Sequence, residues 1–481
     1  MPLIIAVIIL FVVFSAVISK KLNVPLIIIS LAIGIIFGSD VTGLIYFDNA
    51  QLSKEFANIA LIFVLFAGGF DTKYSNLKPV IKPTIILATI GVLLTANIAA
   101  VIFYLLSDWT FLKSLLLCII LSSTDAAAVF SILRSRSINK NVTSITEIES
   151  AANDPMAIIT TTFIIQFILG LKISKFMILT LFIWQLIGGI LVGILIGFLG
   201  FYSFNKIKEI DVGYFYLLLI GIILLSFGLA DLCKASGMLA VFFTGLIMGN
   251  KKLPYKTGIS SFTDILSFVA NVALFVLLGL LVFPKNFSKI WVLGIVLFLI
   301  ITLIARPIAV FLCTLFTKLS IKEKIFLSWS GIRGAVPIVL ATYPAAAGID
   351  EQHQIFNIIF FAVILSMICQ GATIGKLADW FKLNVKSLNK PKQKMELVTT
   401  HDTNYELIEI FIDDDIYQGE CKISTLSLPI GTTITMINRN NSVIAPSGKT
   451  IIYPGDILSV LTEKKKIKEC SNEIIRVFNK K

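Results

Sequence analysis

Charge is the first thing this sequence lacks. Only 15% of its 481 residues are Asp, Glu, Lys or Arg, against 57% hydrophobic, whereas an ordinary soluble chain carries about 25% charged residues. A conventional water-exposed surface is therefore excluded. Histidine is almost missing too: His353 and His401 fall in a predicted outside loop and in a polar tail, so proton chemistry within a bilayer is left to carboxylates. The six cysteines, Cys118, Cys233, Cys313, Cys369, Cys421 and Cys470, stand singly, without C-x-x-C or metal-ligand spacing, which excludes a disulfide framework and a zinc site. There is no G-x-x-x-x-G-K-[ST] loop to hold ATP and no G-x-S-x-G, H-E-x-x-H or Cys/His pairing to carry an enzyme, and no cofactor is implied.

Long apolar runs are what the sequence has instead. Read between charged or Pro/Gly-rich breaks, they give about thirteen candidate spans, at residues 2–19, 24–38, 55–70, 84–107, 111–133, 151–169, 176–204, 213–230, 236–249, 262–283, 290–317, 325–346 and 353–378. The first has no basic leader and no small-residue cleavage site, and reads as a retained span rather than a signal peptide. Loops after odd-numbered spans are the richer in basic residues, as at Lys73, Lys78 and Lys82 or Lys318, Lys322 and Lys324. That bias predicts an outside N-terminus and a cytoplasmic C-terminus. It also accounts for the excess of 41 Lys+Arg over 29 Asp+Glu without nucleic acid. The expected fold is a polytopic α-helical membrane protein over residues 1–381. A Lys-rich linker at 382–398 leads to a small cytoplasmic α+β domain at 399–481, in which 406–412, 432–438 and 456–461 read as strands between turns such as Leu428-Pro429-Ile430-Gly431 and Pro454-Gly455-Asp456.

Charge inside a span costs roughly 2.5–3.5 kcal/mol on insertion scales, so each such residue is a functional candidate. They are Asp125, Glu149, Asp154, Arg306 and Arg333. In Glu147-Ile148-Glu149-Ser150-Ala151-Ala152-Asn153-Asp154-Pro155, helical spacing sets Ser150 with Asp154 on one face and Glu149 with Asn153 on another. The two carboxylates can thus serve different neighbours. Pro155 removes a backbone donor and loosens the preceding turn, exposing carbonyl groups beside Asp154. A carboxylate among Ser, Asn and freed carbonyls is a hard-oxygen site for an alkali cation or a proton. The plainer alternative, a helix end facing water, is opposed for Asp154 by the apolar stretch that resumes at Met156. Glu149 reads instead as the partner of a buried arginine, and Arg306, before Pro307, as structural. Two polar segments interrupt other spans: Leu121-Ser122-Ser123-Thr124-Asp125-Ala126-Ala127-Ala128-Val129 and Ser330-Gly331-Ile332-Arg333-Gly334-Ala335-Val336-Pro337. Paired broken helices in two halves of a chain mark a transport site. Asp125 would neutralise helix N-termini at the crossing, and Arg333 the opposing C-termini or a carboxylate. The serines and threonines also fit ordinary helix packing through small residues.

Together with Gln370-Gly371, these segments resemble the cation/proton antiporter superfamily, in particular its NhaP-type branch and the potassium/proton antiporters of the cell-volume-regulation type, over most of residues 1–380. The tail from 399 resembles the C-terminal half of potassium-conductance regulatory domains through Pro429, Gly431, Pro446 and Gly455-Asp456. It has no G-x-G-x-x-G, and its ligand is left open between a nucleotide, a partner domain and nothing. The resemblance implies about thirteen helices in inverted repeats with crossed broken helices, a homodimer in a bacterial plasma membrane, and an elevator-like alternation of access. It implies exchange of a monovalent cation, potassium ahead of sodium, for a proton. Asp154 would bind the two in turn with Asn153, Ser150 and Thr124 beside it, and the Asn153-Asp154 pair would mark electroneutral exchange. It makes Glu149 and Arg333 a core ion pair and Asp125 the stabiliser of the crossing. Ala67 stands before Gly68-Gly69 where relatives often carry an acidic residue. A gated cation channel with a regulatory tail is the rival reading, with no T-V-G-Y-G filter in its favour.

Overall fold

An apolar run long enough to cross a bilayer can satisfy its backbone without water by closing every hydrogen bond within a helix. The computed structural model folds these runs in that way; it describes residues 2–22, 26–125, 129, 140–170, 175–207, 211–350, 354–383, 404–412, 421–439, 442–463, 465–467, 469–470 and 472–474. His353, His401, Ala126 to Ala128 and most of the expected linker lie outside the described residues. The chain divides into two units, Met1–Leu253 with Ile259–Val385, and Pro254–Gly258 with Lys386–Lys481.

The first unit is helical. Its helices are α1 (Pro2–Leu22), α2 (Leu26–Phe37), α3 (Ala50–Asp71), α4 (Ile81–Leu106), α5 (Phe111–Ile120), α6 (Lys140–Ile168), α7 (Lys175–Lys206), α8 (Val212–Leu232), α9 (Gly237–Gly249), α10 (Lys256–Leu280), α11 (Ile290–Cys313), α12 (Ile321–Trp329), α13 (Ala335–Ala346) and α14 (Gln354–Trp380). Among the described residues, seven helices are long and apolar enough to cross a membrane, and shorter apolar helices accompany them. Two expectations shift. The run expected at 151–169 belongs to the longer helix Lys140–Ile168, because a reading by apolarity drops Glu147 and Glu149 although the helix continues through them. The span expected at 325–346 is two helices, α12 and α13, separated at 330–334.

Helix α9 is buried along its whole length and packs against α3, α7 and α8. Its apolarity on every side reflects an interior position. Helices α7 and α8 instead expose Leu191, Leu195, Leu217 and Leu224, as lipid-facing surfaces do. The α3–α9 contact brings backbone onto backbone. A Cβ on Gly69 would fall on the carbonyl oxygen of Phe242 and 3.1 Å from the Leu246 nitrogen, whereas a Cβ on the neighbouring Gly68 would meet nothing within 4 Å. Helices α4 and α11 also pack together, and each contains a π-turn, at Leu87–Gly91 and Ile300–Ala305. Pro307 follows the second, where its missing N–H interrupts the regular ladder.

The two interruptions meet. Helix α5 stops at Ile120, and α12, opened by a Ser320–Glu323 capping box, stops at Trp329. Between the resulting non-helical segments the Asp125 amide donates to the Ile332 carbonyl at 2.8 Å. Gly334, the residue before α13, lies so close to the Asp125 side chain that no Cβ fits there.

The second unit holds a four-stranded antiparallel sheet in the order β1-β6-β3-β4, built from β1 (Tyr405–Phe411), β3 (Thr433–Arg439), β4 (Ser442–Ile444) and β6 (Ile457–Glu463). A two-stranded piece pairs β2 (Cys421–Lys422) with β5 (Ile451–Ile452). The three longer strands fall within a residue or two of the stretches expected from alternation. Ile410, Ile437, Leu458, Val460 and Cys470 form the core, and burial pushes the Cys470 thiol up. Arg439 clamps Asp456 with two bonds of 2.8 Å and lies over the Tyr453 ring, which ties β3 to the turn before β6.

The α3–α9 contact predicts that Gly69→Ala forces the helices apart and costs about 1–3 kcal/mol of overpacking, while Gly68→Ala is tolerated. Thermal melting of the two variants in mild detergent, against the parent, checks this; equal melting temperatures would refute it.

Candidate ion-binding site

The site forms where the non-helical stretch after α5 lies against the middle of α6. Pro155 within α6 has no N–H to return to the carbonyl four residues earlier, so the turn carrying Asn153 and Asp154 is loosened. The Ser123 hydroxyl donates to Asp154 Oδ1 at 2.6 Å. Asn153 Nδ2 donates to Thr124 Oγ1 at 2.7 Å, and the Thr124 and Ser150 hydroxyls lie 2.9 Å apart. Ser123, Thr124, Ser150 and Asn153 are all buried. One carboxylate thus sits among neutral hydroxyl and amide oxygens. Among the described residues no three His, Cys, Asp or Glu side chains converge, a donor set suited to a singly charged hard cation rather than to one that needs several carboxylates.

Sequence reasoning singled out Thr124, Ser150, Asn153 and Asp154, and the structure brings these four together. It also places Glu149 and Asp154 before different partners. The expected pairing of Glu149 with Arg333 is not what the structure holds. Glu149 Oε1 lies 2.6 Å from Arg306 Nη2, both residues being 2% exposed. The contact is an ion pair whose atoms are not aligned as a hydrogen bond, and among the described residues Arg306 Nε and Nη1 have no hydrogen-bond partner. Arg306 enters from α11 beside Gly331, within reach of a carboxylate on α6. Arg333 serves backbone instead. Its Nη1 donates to the carbonyls of Ser122 and Ser123 at 3.4 and 3.3 Å, satisfying backbone groups freed where α5 ends. Its amide donates to Ser366 Oγ at 2.9 Å; Ser366 in turn donates to Gln370, whose side chain donates to the Trp329 carbonyl at 2.9 Å. Gln370 therefore ties α14 to both sides of the α12–α13 break. The Asp125 side chain lies against Gly334 at the start of α13, where a helix N-terminus favours negative charge. Ala67 is buried on α3.

The sequence left two contacts unassigned, the donor to Asp154 and the arginine facing Glu149. Ser123 was visible only as one of three consecutive hydroxyl residues, with no sign of which faced the carboxylate. Arg306 was visible as a charge in an apolar helix, but nothing in the sequence ranked it above Arg333 as the partner of Glu149.

Comparison with known proteins places the chain in a family. Residues 6–380 match the transmembrane domain of the sodium/hydrogen exchanger family. The K+/H+ antiporter NhaP2 of Shewanella oneidensis is 34% identical over 457 residues, which cover 94% of this chain and 79% of that protein. The K+/H+ antiporter NhaP of Alkalimonas amylolytica is 34% identical over 397 residues, covering 82% of this chain and 69% of its own. The structure of the sodium proton antiporter MjNhaP1 from Methanocaldococcus jannaschii at pH 8 superposes with a TM-score of 0.68 and 28% identity, over 79% of this chain and 99% of that one. With two interrupted helices meeting beside a single carboxylate, and relatives of this kind spanning nearly the whole chain, the protein belongs to the sodium/hydrogen exchanger family and is a monovalent cation/proton antiporter.

Proposed function

We propose that the protein exchanges potassium, or in second place sodium, for protons one for one, with Asp154 holding the cation and the proton in turn. The observation that carries this reading is the single carboxylate of Asp154 set among Ser123, Thr124, Ser150 and Asn153 beside two helix breaks. Asn153 keeps its neighbourhood neutral, so one charge is available for exchange. A protonated Asp154 carboxyl cannot also hold the cation, and this competition between proton and cation for one site yields antiport if the empty, charged site crosses the membrane poorly. The potassium preference rests on the named activities of the Shewanella and Alkalimonas relatives.

The remaining parts of the reading follow from the charge bias of the loops and from family resemblance. The N-terminus lies outside and the C-terminus in the cytoplasm. About thirteen helices form two inverted repeats, and a core that includes α5, α6, α12 and α13 moves against a scaffold that pairs two protomers. Residues 382–398 link the transport domain, 1–381, to a regulatory domain at 399–481, whose ligand is left open between a nucleotide, a partner domain and nothing.

Asp154→Asn, which can neither carry charge nor release a proton, is expected to reduce cation-driven proton release from everted vesicles to background; release retained with potassium or sodium would overturn the assignment. The Glu149–Arg306 pair frames the site from the other side. Arg306→Ala strands a buried carboxylate at a cost of about 3–5 kcal/mol, so the yield of monodisperse protein should collapse. Combining Arg306→Met with Glu149→Gln should restore most of it. Normal yield from Arg306→Ala alone would contradict a structural role for the pair.

A further inference from the structure

Three successive hydroxyl residues line the break after α5, and the structure gives each a different partner. Ser122 Oγ donates to the Ile119 carbonyl at 2.6 Å and closes the end of the helix. Thr124 belongs to the Asn153 and Ser150 group. Ser123, fully buried, gives its proton to Asp154 Oδ1. Its position is held from behind, since Arg333 Nη1 bonds the carbonyls of Ser122 and Ser123 and the Arg333 amide is anchored through Ser366 to Gln370. A side chain on irregular backbone is thereby aimed at one carboxylate oxygen by a fixed frame.

We infer that Ser123 is a specificity-determining residue of the transport site: by donating to Asp154 it weakens the field that the carboxylate presents to a bound cation and so favours larger alkali cations over smaller ones. The inference rests on the reading of Asp154 as the transport carboxylate. A hydrogen bond to a carboxylate draws part of its negative charge onto the donor. A cation binding beside that carboxylate therefore meets an oxygen whose charge is already partly spent. Small cations give up more hydration energy on entering a site and need a stronger field to recover it, and the number and field strength of the oxygens is one accepted source of selectivity between potassium and sodium. Without the donor, the same oxygens present a stronger field. The bond therefore acts on the ratio of affinities rather than on binding alone. Thr124 and Ser150 cannot take over this role, because their hydroxyls are engaged with each other and with Asn153 rather than with Asp154.

The test uses full-length protein reconstituted in liposomes, with exchange measured separately in potassium, sodium and lithium at one pH. In Ser123→Ala the apparent KM for potassium relative to that for sodium should rise roughly 2- to 10-fold, the weight of one hydrogen bond, with lithium moving in the same direction as sodium. Ser123→Thr, which keeps a hydroxyl, should retain the parent ratio. An unchanged ratio in Ser123→Ala, or a uniform rise in KM for all three cations, would overturn the inference and leave Ser123 a packing residue. Should Ser123→Ala fail to accumulate, Ser123→Cys, whose thiol is a weak donor of similar size, is read in its place with the same expected direction and the same refuting outcome. Asp154→Asn measured in parallel separates the two claims: activity in that variant removes the site itself, whereas an inactive Asp154→Asn beside an unchanged Ser123→Ala ratio removes only the role of Ser123.

Discussion

The rest of the helical unit depends on the crossing of two interrupted helices. Non-helical backbone is costly in a bilayer because each unpaired N–H or C=O lacks water. Here the two breaks satisfy one another. The Asp125 amide bonds the Ile332 carbonyl, Arg333 bonds the carbonyls of Ser122 and Ser123, and Gly334 has no side chain because Asp125 occupies that space. Neither break could exist without the other. This mutual dependence explains why polar residues so expensive to bury interrupt two helices far apart in sequence, at 121–125 and 330–334.

The buried charges around the crossing also form a balanced set. Arg306 faces Glu149, while Arg333 and Asp125 neutralise helix ends pointing in opposite senses. Two positive and two negative groups are thereby accounted for, and Asp154 has a hydroxyl donor and neutral oxygens for company, with no ion pair among the described residues. Replacing Asn153 by a second carboxylate would upset this arrangement by leaving two such charges on successive residues. In the proposed cycle a cation or a proton is what makes the site neutral, which is the electrostatic condition for moving it across a low-dielectric layer.

Much of this was legible in the sequence, for definite reasons. Apolar runs near Ala50–Asp71 or Gln354–Trp380 admit few alternatives to a helix, and strands such as Ile457–Glu463 declare themselves by alternation between turn residues. That Asp154 has a local polar partner was foreseeable, because a carboxylate followed at once by an apolar run must be compensated locally, and Ser123 donates to it. Pairing was harder. Glu149 needed an arginine, but Arg306 and Arg333 are both buried beside a helix irregularity, and only three-dimensional placement on α11 selects the first. The part of α6 before Ala151 was hidden because it carries Glu147 and Glu149, and β2, β4 and β5, as described, are too short to show any period. Legibility thus followed the range of the interaction: one residue's own environment could be inferred, and the choice between two distant partners could not.

The contact between α3 and α9 has a mechanical consequence. Where Gly69 meets the Phe242 carbonyl, backbone touches backbone with no side chains between them. Side chains are the compliant layer of a helix interface, able to change rotamer and absorb small displacements; this junction has none. A displacement of one helix along the other would therefore meet main-chain atoms at once at this point, with no rotamer change there to absorb it.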